Sequence, residues 1–545
     1  MQDDTVSTKR RLLPRWRALA RTPSFEVISG SVNRRPVDTS ATMTRYLKRW
    51  DQNQTLVEAA DVIDAAVISG DYVSAVPAAL KVLSDEHAET ALKAAAGQVL
   101  GNVPDRPEPA LSPVDEWDEE RLFPTIGRLK KRLALMPRDA LTAMEIARLQ
   151  TQVGQRKSAV RYVEHALAAA PNDRYVLRSA ANFFAHKGVR EDADLMFRAI
   201  TSSDAVRVDP WVQAAEIAVA NVCNRTPKWA VRARKNLDRV GGSSIQFSEL
   251  ASSIALLELD AGSSRRLIKK FLKISLEAPT ENALAQAVWS NKQIGLDLEV
   301  SSHLARIENA YEARARTAFE AQDYKLCVNE CGEWLQDQHL SPTAAAFGAH
   351  VASVVMADYA KAVRFAELGL KANPNNPVLL NSKLVALALG GKARQAADLL
   401  PRLAAFEADP LRRPFYYAAQ GLVAFRLGAF SVGREWYARA VETAKASPRP
   451  TLAANATIYW LEQELMAGTV SGGEAAQITQ RLDELYLSKE YGSGKSVVWN
   501  ARRKIIGSLT KSALMKEEVL DRFSNSGPAP NSKISNSWVS SLLLN

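Results

Sequence analysis

The apolar residues of this chain recur with the period of an α-helix, and short breaks divide them into segments of similar length. One stretch has a turn at Gly154, small or apolar residues at Ala159, Val163 and Ala166, and a break at Pro171. An alternation of apolar and polar residues, which would indicate β-strands, is almost absent. The pattern therefore predicts an all-α chain of paired helices joined by short turns.

The same pattern returns 34 residues further along, from Gly154 to Gly188. The second unit has Ala193, Phe197 and Ile200 at the corresponding apolar positions. A pair of antiparallel helices of this length cannot bury its apolar faces alone, so consecutive pairs must stack on one another. A fixed period of this kind predicts a solenoid, which explains how 545 residues can form one continuous array.

This spacing resembles the tetratricopeptide repeat, in which small residues occupy the points where the two helices cross and a proline follows the second helix. With residue 140 as position 1, Ala147, Ala159 and Ala166 fall at the crossing points and Pro171 follows the second helix. Comparable units span residues 56–89, 174–207, 208–241 (degenerate), 308–341, 343–376, 377–410 and 414–447. The resemblance covers roughly half of the chain and implies an α-solenoid of antiparallel helical hairpins, a tetratricopeptide-like superhelix.

Composition divides the chain into segments that we expect to differ in role. The predicted segments are a basic N-terminal arm (1–50), first helical hairpins (51–102), an acidic proline-rich linker (103–120), a first array with degenerate repeats (121–307), a second array (308–474), closing helices (475–523) and a disordered tail (524–545).

The positive charge is concentrated in the arm. The chain carries a net charge of +10, and residues 1–50 hold 11 Lys/Arg against 4 Asp/Glu, which leaves +3 for the rest. The candidate binding residues of the arm are Arg10, Arg11, Arg15, Trp16 and Arg17. Four interpretations remain open: docking on an anionic membrane surface, binding of nucleic-acid phosphates, pairing with the acidic linker, or a solvated terminus.

In tetratricopeptide proteins the first helix of each unit lines a concave groove, so the resemblance also nominates partner-binding residues. These are Arg148, Tyr175, Arg178 and Asn182. The arrangement resembles part of a carboxylate clamp, although Gln213 stands where the clamp would have asparagine. We therefore expect a polar, basic groove that binds an acidic segment.

The second array differs, because its corresponding positions are apolar. The candidate partner-binding residues there are Phe347, Val351, Val385, Phe415 and Phe425. An apolar stripe of this size is not left in water. It could accept an amphipathic helix of a partner, be filled by the chain's own helices or tail after residue 475, or form a self-dimer interface.

No arrangement of residues predicts catalysis, a cofactor or a metal site, and we expect a protein that is not an enzyme. Cys327 and Cys331 are four residues apart, but both fall at packing positions of the repeat. Sparse cysteines and the lack of a long apolar segment predict a cytoplasmic protein, with a peripheral membrane location as the alternative. The abundance of alanine is associated with bacterial sequences.

The sequence thus predicts a scaffold or adaptor that binds peptide or helical segments of partner proteins in its grooves, with self-association as a further option. The alternative is a nucleic-acid-associated or regulatory protein that binds phosphates through the basic arm.

Overall fold

The computed structural model describes residues 12–17, 39–69, 71–102, 122–187, 190–223, 237, 245–446, 451–486 and 497–524. The chain divides into two compact units, one of Pro23–Leu111 and one of Met1–Thr22 with Ser112–Asn545. Within the described ranges the regular secondary structure is helical and no strand occurs. The prediction of an all-α chain is confirmed.

The smaller unit is a group of four helices around one apolar core. The helices are α1 (Thr39–Gln52), α2 (Leu56–Ser69), α3 (Val76–Ser84) and α4 (Thr90–Asn102), with a 3₁₀ turn at Val73–Ala75. Met43 and Trp50 of α1 are buried in the same apolar cluster as side chains of α2, α3 and α4, and α1 packs against α2. The predicted boundary at residue 50 therefore falls inside α1, because these two apolar side chains join that helix to the hairpins rather than to the arm.

The larger unit continues with helices that follow one another as antiparallel pairs. They are α5 (Leu122–Leu135), α6 (Ala140–Gln152), α7 (Arg156–Ala169), α8 (Arg174–Lys187), α9 (Arg190–Ser202), α10 (Ala205–Val208), α11 (Pro210–Val222), α12 (Ile245–Asp260), α13 (Arg265–Glu277), α14 (Glu281–Ile294), α15 (Ser301–Leu304), α16 (Tyr311–Glu320), α17 (Tyr324–Asp337), α18 (Pro342–His350), α19 (Tyr359–Ala372), α20 (Pro377–Leu389), α21 (Ala393–Ala397), α22 (Leu400–Leu403), α23 (Arg413–Arg426), α24 (Phe430–Lys445), α25 (Thr451–Ala467), α26 (Gly472–Tyr486) and α27 (Val497–Ser524). A π-helical turn at Val351–Val355 follows α18, and a 3₁₀ turn at Ala404–Ala408 follows α22.

Local sequence explains where the helices begin and how closely they pack. The carboxylate of Asp139 accepts a hydrogen bond from the Thr142 amide at the start of α6, and Asp323 does the same for Leu326 in α17. The alanines at the predicted crossing points are fully buried, which lets the helices of a pair approach closely. They include Ala159, Ala193, Ala362 and Ala396. The larger unit is thus an α-solenoid of antiparallel hairpins with a tetratricopeptide-like repeat.

The array of the larger unit curves until an early hairpin meets a late one. Helix α6 contacts α19, more than 200 residues further along the chain. A β-carbon placed on Gly154, just after α6, would lie 3.8 Å from the carbonyl oxygen of Lys371 in α19. This curvature brings the inner ends of α8, α14, α16 and α17 around a common space. We call this space the channel.

Among the described helices, none is both long and apolar enough to cross a membrane.

Candidate peptide-binding channel

The channel is occupied by the chain's own residues 12–17, with the sequence Leu-Leu-Pro-Arg-Trp-Arg. The segment has no helix or strand of its own. Leu12, Trp16 and Arg17 are nevertheless buried, with Trp16 only 1% exposed. Burial of a chain without regular secondary structure requires the surrounding protein to satisfy its backbone polar groups.

Asparagine side chains bind the backbone at the start of the segment. Asn282 in the first turn of α14 donates its amide N–H to the carbonyl of Leu13 at 2.9 Å. Asn182 of α8 donates to the carbonyl of Pro14 at 2.6 Å. Proline itself has no backbone N–H, so the backbone of Pro14 needs only a donor for its carbonyl, and Asn182 supplies it. These hydrogen bonds are made to the main chain and do not depend on the side chains of the bound segment.

Two further hydrogen bonds hold the end of the segment. The hydroxyl of Tyr175 donates to the carbonyl of Arg17 at 2.9 Å, and the amide of Trp16 donates to Oε1 of Gln338 at 3.3 Å. Gln338 is oriented because its amide group donates to the carboxylate of Asp337 at 2.8 Å. Tyr175 and Asn182 are seven residues apart on α8, which places both on one face of that helix.

The guanidinium of Arg15 pairs with a carboxylate at the first turn of α16. Its Nη2 lies 2.8 Å from Oε2 of Glu312, and both side chains are largely buried. The same carboxylate also accepts from Arg316, one turn further along the helix, at 3.1 Å. Glu312 therefore bridges the bound segment and its own helix.

Arg17 pairs with two carboxylates, and its side chain is slightly more buried than that of Arg15. Its Nε lies 2.9 Å from Asp337 Oδ1 and its Nη2 lies 3.1 Å from Glu281 Oε1. Burial by itself would lower the pKa of Arg17, but these two carboxylates outweigh it and raise the pKa. Burial would likewise raise the pKa of Glu281, and the charges of Arg17 and Arg15 hold it below its usual value. Arg17 and Glu281 are therefore both charged at neutral pH.

The indole of Trp16 fills an aromatic pocket between the two arginines. Its ring packs edge-on against Phe183 of α8, with centroids 5.9 Å apart and planes at 88°. His339 lies on another side at 5.6 Å between ring centroids. Burial, followed by the charge of Arg148, lowers the pKa of His339 well below its usual range, so this wall of the pocket is neutral.

The charge of the channel is opposite to the expectation from sequence. Arg148 pairs with Glu145 on its own helix at 2.6 Å, and Arg178 pairs with Glu249 at 2.6 Å while lying over the ring of Trp211. Both predicted cations are thus neutralised by the array itself. The prediction of a basic groove for an acidic segment is wrong, because sequence register located the arginines but not their carboxylate partners.

The structure brings only some of the predicted binding residues together. Tyr175 and Asn182 contact residues 12–17, and Arg15, Trp16 and Arg17 are part of the bound segment. Arg10 and Arg11 lie outside the described residues, as does the proposed acidic linker at 103–120. The sequence analysis missed the following contact residues: Phe183, Glu281, Asn282, Glu312, Asp337, Gln338 and His339.

The apolar candidates of the second array do not line an open groove. Val351, Phe415 and Phe425 are buried, and Phe347 and Val385 are half-buried. The ring of Phe425, for example, lies 5.9 Å from that of Phe430 in the first turn of α24, the partner helix of its hairpin. The expectation that these buried side chains are exposed to a partner is therefore corrected, because they form the core between hairpins.

Helix α27 packs against the π-helical turn, which contains Val351, and against α25. Val498, Trp499 and Ile506 belong to the same apolar cluster as Val354 and Phe415. Of the apolar candidates, Val351 thus lies in a turn that the chain's own C-terminal helix contacts.

A buried arginine fixes α27 in place. Arg502 is 0% exposed, and its Nη1 lies 3.1 Å from the Glu462 carboxylate. Its Nη2 donates to the carbonyl of Ser353 at 3.0 Å. Ser353 lies in the π-helical turn, where the α-helical hydrogen-bond pattern is interrupted. The guanidinium also lies over the ring of Tyr459, 4.6 Å from its centroid.

No protein-family model matches this chain, and no curated protein matches it either. Among solved structures, the crystal structure of yeast Tom70 is similar over 85% of this chain and 96% of the Tom70 chain, with 11% sequence identity and a TM-score of 0.29. A TM-score of 0.29 does not establish a common fold. The assignment of the fold rests on the helices and their packing.

Proposed function

We propose that this chain is a scaffold for protein interactions whose channel binds an extended, basic segment of a partner protein. The observation that carries the proposal is the set of contacts made with residues 12–17. An extended peptide leaves its carbonyls without internal partners, and Asn282, Asn182 and Tyr175 supply the missing donors. A preformed helical array loses little conformational entropy when it binds such a segment.

The charges favour a protein partner over nucleic acid or an anionic membrane. Arg15 and Arg17 are engaged by Glu312, Glu281 and Asp337 of the array. A phosphate would have to compete with these carboxylates for the same guanidinium groups. The carboxylates themselves repel phosphates, so the channel is unsuited to nucleic acid or an anionic lipid.

The test is direct binding of a peptide to the full chain with its own segment disabled. We define the arm-disabled chain as the variant with Arg15→Ala, Trp16→Ala and Arg17→Ala. A fluorescent peptide with the sequence of residues 9–21 is titrated with this variant, and anisotropy is recorded. Saturable binding with one site per chain is expected.

A second pair of substitutions ties that binding to the channel. Adding Asn182→Ala and Asn282→Ala removes two hydrogen bonds of about 1 kcal/mol each and should weaken peptide binding by about tenfold or more. Asn329→Ala, at an exposed site on α17, is the matched control and should leave the affinity unchanged. Absence of saturable binding to the arm-disabled chain would refute the proposed function.

A further inference from the structure

The channel contains more buried negative charge than its own cations neutralise. Glu281, Glu312 and Asp337 have side chains that are 17%, 6% and 4% exposed. Glu312 retains Arg316 as a partner. The charges of Arg148 and Arg178 also act on Asp337 and Glu281, but these arginines are paired with Glu145 and Glu249. The described cations within salt-bridge distance of Glu281 and Asp337 belong to Arg17. A buried carboxylate without a counter-charge is strongly disfavoured. An occupant of the channel must therefore be cationic.

The three carboxylates and the aromatic pocket also fix the spacing of the occupant. Arg15 and Arg17 reach separate carboxylates, while Trp16, between them, enters the pocket of Phe183 and His339. In an extended chain, neighbouring side chains point in opposite directions, so two arginines that flank one aromatic residue match this arrangement. A lysine would lose the paired contacts that the fork of Arg17 makes with two carboxylates.

We propose that the channel selects an arginine–aromatic–arginine triplet in an extended partner segment, and that residues 12–17 occupy the site as a built-in competitor until such a partner displaces them. This inference rests on the proposed function. It adds the partner's recognition chemistry and an autoinhibitory role for the chain's own segment.

Tethering makes the competition effective. A segment linked to its own site acts at an effective concentration that is set by the length and stiffness of the linker. Residues 18–121, which include the smaller unit, connect this segment to the array, so the effective concentration is expected to be below the millimolar range of a short linker. A partner peptide with the same sequence therefore binds the intact chain more weakly than the arm-disabled chain. For an effective concentration of about 0.1 mM and an intrinsic dissociation constant of about 10 µM, the difference would be about tenfold. Only a partner at high local concentration, or one with additional contacts, displaces the segment.

The experiment compares the intact chain with the arm-disabled chain, using the fluorescent 9–21 peptide as probe. We expect the arm-disabled chain to bind the peptide about tenfold more tightly. The control is the full chain with Lys48→Ala and Arg49→Ala, which lacks two cations at exposed sites on α1. It should bind the peptide with the same affinity as the intact chain. Circular dichroism on each variant establishes that the helical fold is retained.

Sequence selectivity is tested with altered peptides on the arm-disabled chain. Replacing the two arginines of the triplet by lysine should weaken binding by at least threefold, and replacing the tryptophan by alanine by at least tenfold. If all three peptides bind equally, the triplet rule is wrong, although the proposed scaffold function stands.

Two further measurements test whether residues 12–17 compete with the peptide within one chain. Equal affinity of the intact and arm-disabled chains for the peptide would overturn the autoinhibitory role and leave the peptide channel intact. Sedimentation of the intact chain reports whether the segment comes from a second copy. A dimer that dissociates on dilution, and that the triple alanine substitution abolishes, would overturn competition within one chain. A monomer at all concentrations supports it.

Discussion

The channel and the apolar region under α27 are both filled by residues of the same chain, but with different chemistry. Residues 12–17 have no regular structure and are held by hydrogen bonds to their backbone and by ion pairs. Helix α27 spans 28 residues and contributes Val498, Trp499 and Ile506 to a continuous apolar core. Polar contacts can be exchanged for those of a similar peptide or for water, whereas apolar surface cannot be exposed at small cost.

The comparison suggests that one covering segment is exchangeable and the other is structural. The six-residue segment offers two large buried apolar side chains, Leu12 and Trp16, and a basic peptide can supply cations like those of Arg15 and Arg17. Helix α27 is instead fixed by Arg502, whose buried guanidinium binds the Glu462 carboxylate and the Ser353 carbonyl. We expect perturbations of α27 to change global stability and perturbations of residues 12–17 to change ligand access.

The largest effect is expected from Arg502→Met. The substitution leaves the Glu462 carboxylate, which is 1% exposed, without its cation and should lower the free energy of unfolding by about 3–5 kcal/mol. Denaturant titration followed by circular dichroism measures the change. Arg503→Met is the matched control, because Arg503 is more exposed and pairs with Asp483 at the surface. It should cost less than about 1 kcal/mol, and a similar cost for both would refute a structural role for Arg502.

A matched pair of tryptophans compares the two regions directly. Trp499 and Trp16 are 4% and 1% exposed, so burial alone predicts similar costs for replacement by alanine. We expect Trp499→Ala to cost about 3–5 kcal/mol. Trp16→Ala should cost only about 1 kcal/mol, because its segment can undock locally without unfolding the array. Denaturant titration measures the loss of unfolding free energy in both variants. Equal losses would show that residues 12–17 contribute to global stability as much as α27 does.

Glu216 of α11 tests the role of buried charge in another part of the array. Its carboxylate is buried and has few hydrogen-bond partners. Its Oε1 accepts from the Thr201 hydroxyl at 3.2 Å, and no described group forms a hydrogen bond with Oε2. Burial raises the pKa of Glu216 to about 7, against a lowering by the Thr201 hydrogen bond. A raised pKa means that the folded state binds the proton more tightly, so stability falls as pH rises from about 4.5 to 7.

We therefore predict that Glu216→Gln stabilises the chain at pH 8 by about 1–2 kcal/mol and has little effect at pH 4.5. Thermal or denaturant unfolding of both proteins at the two pH values measures the difference. Glu277→Gln, at an exposed site on α13, serves as the control. A stabilisation that is the same at both pH values would contradict the assignment of the pH dependence to Glu216.

The smallest effect concerns salt. Raising NaCl from 0.1 to 1 M shortens the screening length from about 10 to 3 Å and should weaken the docking of residues 12–17 by about threefold, since its ion pairs are only partly screened where they are buried. Trypsin cleavage after Arg17, followed by mass spectrometry, should accelerate accordingly. Cleavage within α27 should not. Faster cleavage at both places would indicate general loosening of the fold.

The sequence predicted the fold because the repeat is a local pattern. Ala159 and Ala193, 34 residues apart, can be recognised without knowing what they contact. The occupied channel is a different problem. Glu312 falls at position 5 of unit 308–341 and could have been nominated by the register that nominated Arg178. Glu281 and Asn282 could not, because residues 242–307 match the repeat poorly.

The docking of the basic segment was beyond prediction for an energetic reason. Arg15 and Arg17 suit phosphates, the acidic linker and the channel carboxylates about equally when only charge is considered. The difference lies in burial and geometry, such as the pocket formed by Phe183 and His339, which residues far apart in sequence create together. The pairing of Arg178 with Glu249, 71 residues away, was hidden for the same reason.

The most direct test of the central claim is amide hydrogen exchange of the intact chain, measured by mass spectrometry with and without saturating 9–21 peptide. The account predicts that the Trp16 amide, which donates to Gln338, is protected in the free chain. It should exchange at the rate of an unstructured peptide once the competitor is bound, while α27 stays protected in both. If the Trp16 amide already exchanges at the unstructured rate in the free chain, the channel is not occupied by this segment and the account is wrong.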